Sequence, residues 1–273
     1  MPDTTPLASP TAEAPPSEDG WRPDLAVLRA HLDELDDKIH DLLMERALVI
    51  ENVARSGKAA VFRPGREAEI LRRLLARHTG KLPARTVVRM WREMLAGTTA
   101  MQTRVTIAAT QTAAIAHEHF GFLTPVIEYP TARAVLDAVR AGSVSIGVLP
   151  FPSGQGAWWP ALTRAEPRLF ILARLPFWAE RPLHVPIADA LVVGTSAPDA
   201  SGGDRSFIRT PDGVLLTGAG LKVVATHGEV FEVETMVAES DPRLPPGATV
   251  LGGYAVPVAG DPVTGDPVTG DGA

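Results

Sequence analysis

From Leu25 the chain places apolar residues at Leu25, Leu28, Leu32, Leu35, Ile39 and Leu42. The steps alternate three and four, the a/d spacing of a seam along one helix. The next seam position is Arg46, and Val49 and Val53 then resume the pattern. A guanidinium inside an apolar seam is costly unless something anionic meets it. Its planar fork of donors suits a carboxylate. Trp21-Arg22-Pro23-Asp24 predicts the helix start, since proline is tolerated in a first turn and aspartate favours the positive end. The helix is predicted to run to about Arg55, with Gly57 as its stop, a length of roughly 50 Å. No helix this long is stable alone, so its stripe must meet other helices.

The Phe62-Arg63-Pro64-Gly65 turn opens a second predicted helix over 65–78, with Ile70, Leu71, Leu74 and Leu75 as its stripe. Gly80 ends it, and Pro83 precedes a third over 84–102. The third stripe is Val87, Trp91, Met94, Leu95, Thr98 and Met101. Three helices of such unequal length cannot enclose a core in one compact chain, which predicts a dimer with paired long helices. At Val105 the pattern changes. Strand-like runs at 105–109, 125–129 and 144–149 alternate with helix-like runs at 112–120 and 132–141, the signature of a parallel α/β sheet. Short strands are predicted at 170–175, 190–194, 207–210, 221–226, 230–238 and 249–256, with weak helical signal after Leu162. The expected organisation is a disordered tail (1–20), a helical domain (21–102), an α/β domain (103–258) and a second low-complexity tail (259–273) that repeats Asp-Pro-Val-Thr-Gly.

Composition narrows the function. A formal charge of −6 argues against general nucleic-acid binding. No apolar run approaches a membrane span, and the first twenty residues lack the charged start and apolar core of a signal peptide. The chain has no cysteine, which excludes disulfides and cysteine metal sites and fits a cytoplasmic protein. His117-Glu118-His119 lacks the spacing of a helical zinc motif. These histidines are expected at the surface or as caps, and no metal or cofactor is expected.

Arg46 is one of several polar residues placed on apolar faces. Glu67 lies three and four residues before Ile70 and Leu71, on the buried stripe of the second helix. Thr98 continues the spacing of Trp91 and Met94, and Gln102 is i+4 from Thr98, so both look the same way. Lys58 follows the first helix and Arg66 opens the second. One reading is structural: Arg46 pairs with Glu67, and Thr98 and Gln102 complete the network. The other weighs the surplus of cations at Arg46, Lys58 and Arg66, which implies a pocket for a small anion. Arg29 stands about 260° around the helix from Arg46, so it serves one site with Arg46 only from a partner chain.

As a set, these residues resemble the all-helical (type II) chorismate mutases, an intertwined dimer fold of three helices per chain. The resemblance runs through Leu28-Arg29, Leu35-Asp36, Glu45-Arg46, Lys58, Arg66-Glu67 and Thr98-x-x-x-Gln102. It implies that Arg46 and the partner chain's Arg29 bind the two carboxylates of chorismate. It further implies that Lys58 and Gln102 donate to the ether oxygen whose bond breaks, that Glu67 holds the substrate hydroxyl, and that Arg66 and Thr98 complete the pocket. Three positions depart from the family pattern: Arg63 stands where aspartate is common, Lys58 falls one residue late with Gly57 in its place, and Thr98 replaces serine. The chemistry suits these residue types. A pericyclic rearrangement needs a folded substrate and donors aimed at growing charge on the ether oxygen, with no nucleophile, metal or general base.

The second half resembles, more weakly, the prephenate dehydratase catalytic domain, a periplasmic-binding-protein-like α/β fold. Thr106–Thr110, His119-Phe120-Gly121, Gly147–Pro150 and Leu191–Gly194 follow its order. Its functional motifs fail: Pro152-Ser153-Gly154 and Ala188-Asp189-Ala190 replace them, and the stretch between is too short for a full second lobe. The expected protein is therefore a homodimeric, cytoplasmic chorismate mutase, an isomerase making prephenate for phenylalanine and tyrosine, with a truncated, degenerate dehydratase-like domain. The alternatives are an isochorismate pyruvate-lyase or a non-catalytic, ligand-binding regulatory dimer.

Overall fold

The computed structural model describes residues 24–55, 62–79, 81–152, 157–179 and 189–258. The expected tails, the Gly57 and Gly80 helix stops and Lys58 lie outside the described residues. The chain divides into two compact units after Asn52, within the last turn of the first helix.

The described residues of the first unit belong to one helix. α1 spans Leu25–Arg55, 31 residues, matching the range its periodicity predicts. Asp24 Oδ1 accepts a hydrogen bond from the Ala26 amide at 2.9 Å, satisfying one of the orphan donors of the first turn. None of its residues is buried. Its seam is solvent-exposed, with Leu25 at 57%, Leu32 at 59% and Leu42 at 64%. An exposed leucine stripe of this length is a surface that calls for a partner.

The second unit begins with α2 (Pro64–Ala76) and α3 (Ala84–Gln102), then alternates β1 (Ile107–Ala109), α4 (Ala113–Phe120), β2 (Val126–Glu128), α5 (Ala132–Arg140) and β3 (Ile146–Pro150). β4 (Phe170–Leu175), β5 (Ala190–Gly194), β6 (Asp204–Arg209), the short α6 (Val214–Gly218), β7 (Val223–His227), β8 (Val230–Val233) and β9 (Thr249–Ala255) follow. The strands form one nine-stranded sheet in the order β2-β1-β3-β5-β4-β9-β6-β8-β7. Only β2-β1-β3 and the β4–β9 pair are parallel; the other neighbours are antiparallel. The parallel sheet expected from the strand–helix alternation therefore holds for its first three strands. Beyond β3, among the described residues, no helix of crossover length separates the strands, and most return antiparallel.

Both faces of the central strands are covered, which explains their near-continuous apolar runs. Leu191 and Val193 face one core with Val135, Leu136 and Val139 of α5, together with Trp158, Trp159 and Leu162. Ala190 and Val192, one residue out of phase, face a second core with Ile115, Ala116 and Phe120 of α4. Gly147 permits the approach of α5: a Cβ there would sit 2.6 Å from Val135 Cγ1.

α2 and α3 do not form a separate helical core. Ala68, Leu71 and Val88 pack with Phe177 and Ala255 of the sheet region, and α3 also lies on α4. α2 is fastened at several points. Gly65 abuts the 199–200 loop so closely that a Cβ would meet the Asp199 carbonyl oxygen at 2.5 Å. Arg63 Nε donates to Asp199 Oδ2 at 2.9 Å. Arg72 donates to Ser201 Oγ at 2.7 Å, the Gly203 carbonyl at 2.8 Å and the Val256 carbonyl at 2.7 Å. No helix among the described residues is long and apolar enough to cross a membrane.

Candidate active site

The predicted site residues fall in both units. Arg29 and Arg46 lie on α1. Arg29 is exposed. Arg46 is half-buried, burial lowers its pKa from the usual arginine value, and its Nη1 has no hydrogen-bond partner among the described residues. A buried guanidinium nitrogen without an acceptor is costly, which marks Arg46 as a place where an anion is stabilising.

Arg66, Glu67, Thr98 and Gln102 belong to the second unit. Pro64 occupies the first turn of α2, where its missing N–H costs nothing. Arg66 then projects outward and pairs with Glu69 Oε2 at 2.8 Å on the surface. Glu67 turns inward, as its stripe position predicts. Its partner is Arg92: Nη1 donates to Glu67 Oε2 at 2.7 Å, with the two side chains 6% and 16% exposed. The Arg92 guanidinium also lies 5.0 Å from the centre of the Phe177 ring. Burial raises the Glu67 pKa against the opposing pull of Arg92, and burial lowers that of Arg92. Within its own unit, Glu67 is therefore engaged by Arg92 through Oε2. Arg92 escaped the stripe analysis although it lies between Val88 and Leu95 at helical spacing, the buried flank of α3.

Thr98 and Gln102 are brought together. Thr98 Oγ1 donates to the carbonyls of Met94 and Leu95, both at 3.0 Å, and Gln102 Nε2 donates to the Thr98 carbonyl at 3.3 Å. Gln102 is exposed and Thr98 half-buried. Thr98 stands six residues beyond Arg92, about 120° around the helix, so the Glu67–Arg92 pair and the Thr98–Gln102 pair occupy different flanks of α3.

The histidine expectation needs correction as well. His119 is not at the surface but 8% exposed, on the α4 face formed with Ile115, Ala116 and Phe120. Burial and the nearby Arg92 charge hold its pKa well below 6.5, so it is neutral. Its i+4 spacing from Ile115 was the available signal.

In the sheet, Asp189 stands where the dehydratase motif is expected, and its Oδ2 accepts from Arg174 Nη2 at 2.9 Å. Ser153, Gly154 and Ala188 lie outside the described residues. Buried Glu232 accepts from the Tyr254 hydroxyl at 2.7 Å and lies 2.9 Å from His227 Nε2. Arg174 and Arg205 flank it, each at 3.5 Å. This network ties β4, β6, β7, β8 and β9 together, and sequence spacing gave no sign of it.

Arg46 thus stands on α1 with an unsatisfied nitrogen, while the Glu67–Arg92 pair and the Thr98–Gln102 pair stand on α2 and α3. The comparisons with known proteins add to this picture. Residues 28–103 match the family model of chorismate mutase type II. The bifunctional chorismate mutase/prephenate dehydratase of Pseudomonas aeruginosa is 36% identical over 141 residues, 46% of this chain and 38% of that protein. Its counterpart in Neisseria gonorrhoeae is 36% identical over 111 residues, 38% of this chain and 30% of that protein. The chain therefore covers well under half the length of these curated relatives. Among solved structures, a prephenate dehydratase from Arthrobacter aurescens in complex with L-Phe superposes with a TM-score of 0.40 at 14% identity, covering 59% of this chain and 95% of that one. That from Streptococcus mutans gives 0.35 at 15% identity, covering 56% and 99%. At these scores neither structure assigns the second unit.

Proposed function

We propose that this protein is a chorismate mutase, an isomerase that rearranges chorismate to prephenate for phenylalanine and tyrosine biosynthesis. The observation that carries the reading is Arg46, a half-buried guanidinium with an unsatisfied nitrogen inside the segment that matches the mutase family. In this reading Arg46 binds one substrate carboxylate, and Arg29 from a second copy binds the other. Lys58 and Gln102 donate to the ether oxygen as its bond to carbon breaks and the new carbon–carbon bond forms. Donors placed where negative charge grows lower the barrier without any covalent step. Arg92 takes Glu67 Oε2, so the substrate hydroxyl would meet Oε1. Arg66 and Thr98 complete the pocket, with Thr98 acting through its lone pairs or after turning its hydroxyl from the helix.

The exposed seam of α1 supports a homodimer in which two long helices cover each other. We place the enzyme in the cytoplasm, where this substrate chemistry and a cysteine-free chain both fit. The α/β domain from residue 103 is proposed to lack dehydratase activity, since Pro152-Ser153-Gly154 and Ala188-Asp189-Ala190 stand where its functional motifs are expected.

The test is loss of chorismate with stoichiometric appearance of prephenate; no rate above background at micromolar enzyme refutes the proposal. Arg46→Ala should lower kcat/KM by about 10²–10³-fold, the effect of removing one well-placed donor to reacting charge, while helical content is kept. The engagement of Glu67 by Arg92 favours a second reading, isochorismate pyruvate-lyase, which relies on similar cations. Pyruvate release from isochorismate, with no prephenate from chorismate, selects it.

A further inference from the structure

A cavity of about 500 Å³ opens in the second unit between the C-terminal half of α3 and α4, within the roughly 300–1,000 Å³ typical of small-molecule pockets. It is not the place where Thr98 and Gln102 look. Arg92, Ala96 and Thr99 of α3 and the following Thr103 line one wall, the flank on which Arg92 meets Glu67. Phe62, Phe120 and Leu95 supply aromatic and aliphatic surface.

Two features restrict the occupant. The first is charge. Glu67 and Arg92 neutralise each other inside, and the exposed Glu93 and Arg104 are of opposite sign. A net charge brought in would find no unclaimed counter-ion deep in the cavity, and desolvating it would be expensive. A dianion such as chorismate is therefore not its ligand. The second is His119, which lines the cavity, is more than nine-tenths buried, and has an Nε2 with no hydrogen-bond partner among the described residues. Its ring packs edge-on against Phe120 at 4.7 Å, which fixes its plane. A neutral imidazole nitrogen in an apolar wall matches one hydroxyl or N–H group on a ligand, as donor or acceptor according to tautomer.

We propose that this cavity binds a small uncharged aromatic molecule carrying a single hydroxyl or N–H group, held by His119 Nε2 between α3 and α4. The site shares Glu67 with the mutase reading, but the proposal does not rest on that reading and its test does not use catalysis. The 273-residue chain is titrated with indole, toluene and benzoate by calorimetry and saturation-transfer NMR. Histidine ¹⁵N spectra follow the imidazole resonances. Indole should bind saturably and shift the Nε2 resonance of one neutral histidine. His119→Phe should weaken indole about tenfold, the value of one hydrogen bond, and leave toluene unchanged. Thr99→Trp, which fills the cavity from α3, should abolish both. Absence of indole binding at millimolar concentration overturns the proposal, as does equal binding by folded His119→Phe. Tighter binding of benzoate than of indole overturns the uncharged class. If His119→Phe fails to fold, the wild-type ¹⁵N shift decides alone, and an unmoved Nε2 resonance refutes the contact.

Discussion

Replacing Arg92 by leucine isolates the energetics of the buried pair on α2 and α3. The substitution removes the donor 2.7 Å from Glu67 Oε2 and leaves a carboxylate that is only 16% exposed. Breaking a buried pair by deleting one partner costs about 3–5 kcal/mol, because the remaining charge is uncompensated. The partial exposure of Glu67 places the expected cost near the lower end, about 3 kcal/mol. For a unit of this size that is a fall in Tm of roughly 6–12 °C. Glu67→Leu together with Arg92→Leu removes both charges, loses the contact over Phe177 worth about 0.5–2 kcal/mol and gains apolar burial. The double variant should lie within about 1 kcal/mol of wild type. Urea unfolding of all four members of the cycle measures the coupling. The pH dependence has a definite sign. Burial already raises the Glu67 pKa above 4.5 in the folded protein, so the folded state holds the proton more tightly than the unfolded one. Stability from this group is complete below the unfolded pKa and is lost as pH rises through the folded one. Without Arg92 that folded pKa rises further, so the Arg92→Leu penalty is largest at neutral pH and shrinks towards pH 4.5. A single variant as stable as wild type at pH 7, or a double variant no better than the single, refutes the reasoning.

Three further outcomes follow from the same structure. Leu35→Asp combined with Leu42→Asp, on the exposed seam of α1, should convert a dimer into a monomer in analytical ultracentrifugation; an unchanged sedimentation coefficient rules out the seam as the interface. His119, neutral with a depressed pKa, contributes stability that is lost as pH falls below about 6.5, where the unfolded state takes the proton first. A variant with His119→Phe should therefore show a flatter stability profile between pH 6.5 and 5, and an unaltered slope counts against burial of this ring. Truncation after Gln102 uncovers Leu71, Ala68 and Val88, which pack with Phe177 and Ala255; the fragment should show a broadened, less cooperative thermal transition, and a sharp transition at the full-length Tm refutes that dependence.

Local periodicity made the elements legible. The 3-4 stepping from Leu25 to Val53 fixed the extent of α1, and the Pro64 and Pro83 starts fixed α2 and α3, because helix phase and capping are properties of neighbouring residues. The alternation from Val105 to Leu149 gave three parallel strands correctly for the same reason. What covers each face is not local. Leu71 announced a buried stripe, yet nothing in its spacing said that Phe177 and Ala255, far along the chain, would meet it. The antiparallel order of β4 to β9 was hidden likewise, since short apolar runs such as Ala190–Gly194 carry no direction. At the site, Glu67 and the Thr98–Gln102 spacing were readable from helix phase. Arg92 gave no such sign, because whether an arginine between Val88 and Leu95 turns inward depends on what lies against that flank. Only the tertiary position of Phe177 and Glu67 turns it inward.

Gly65 has a consequence for how this architecture can change. With no room for a Cβ against Asp199, and with Arg63 and Arg72 clamped to the 199–203 loop and Val256, α2 is keyed to one particular surface. Grafting the helices onto another protein would strand those keys without their lock. Conversely, the α/β half must keep the shape of that loop for α2 to seat on it. Residues 199–203 should therefore tolerate substitution far less than the motif positions at 188–190, whatever reaction the helices perform.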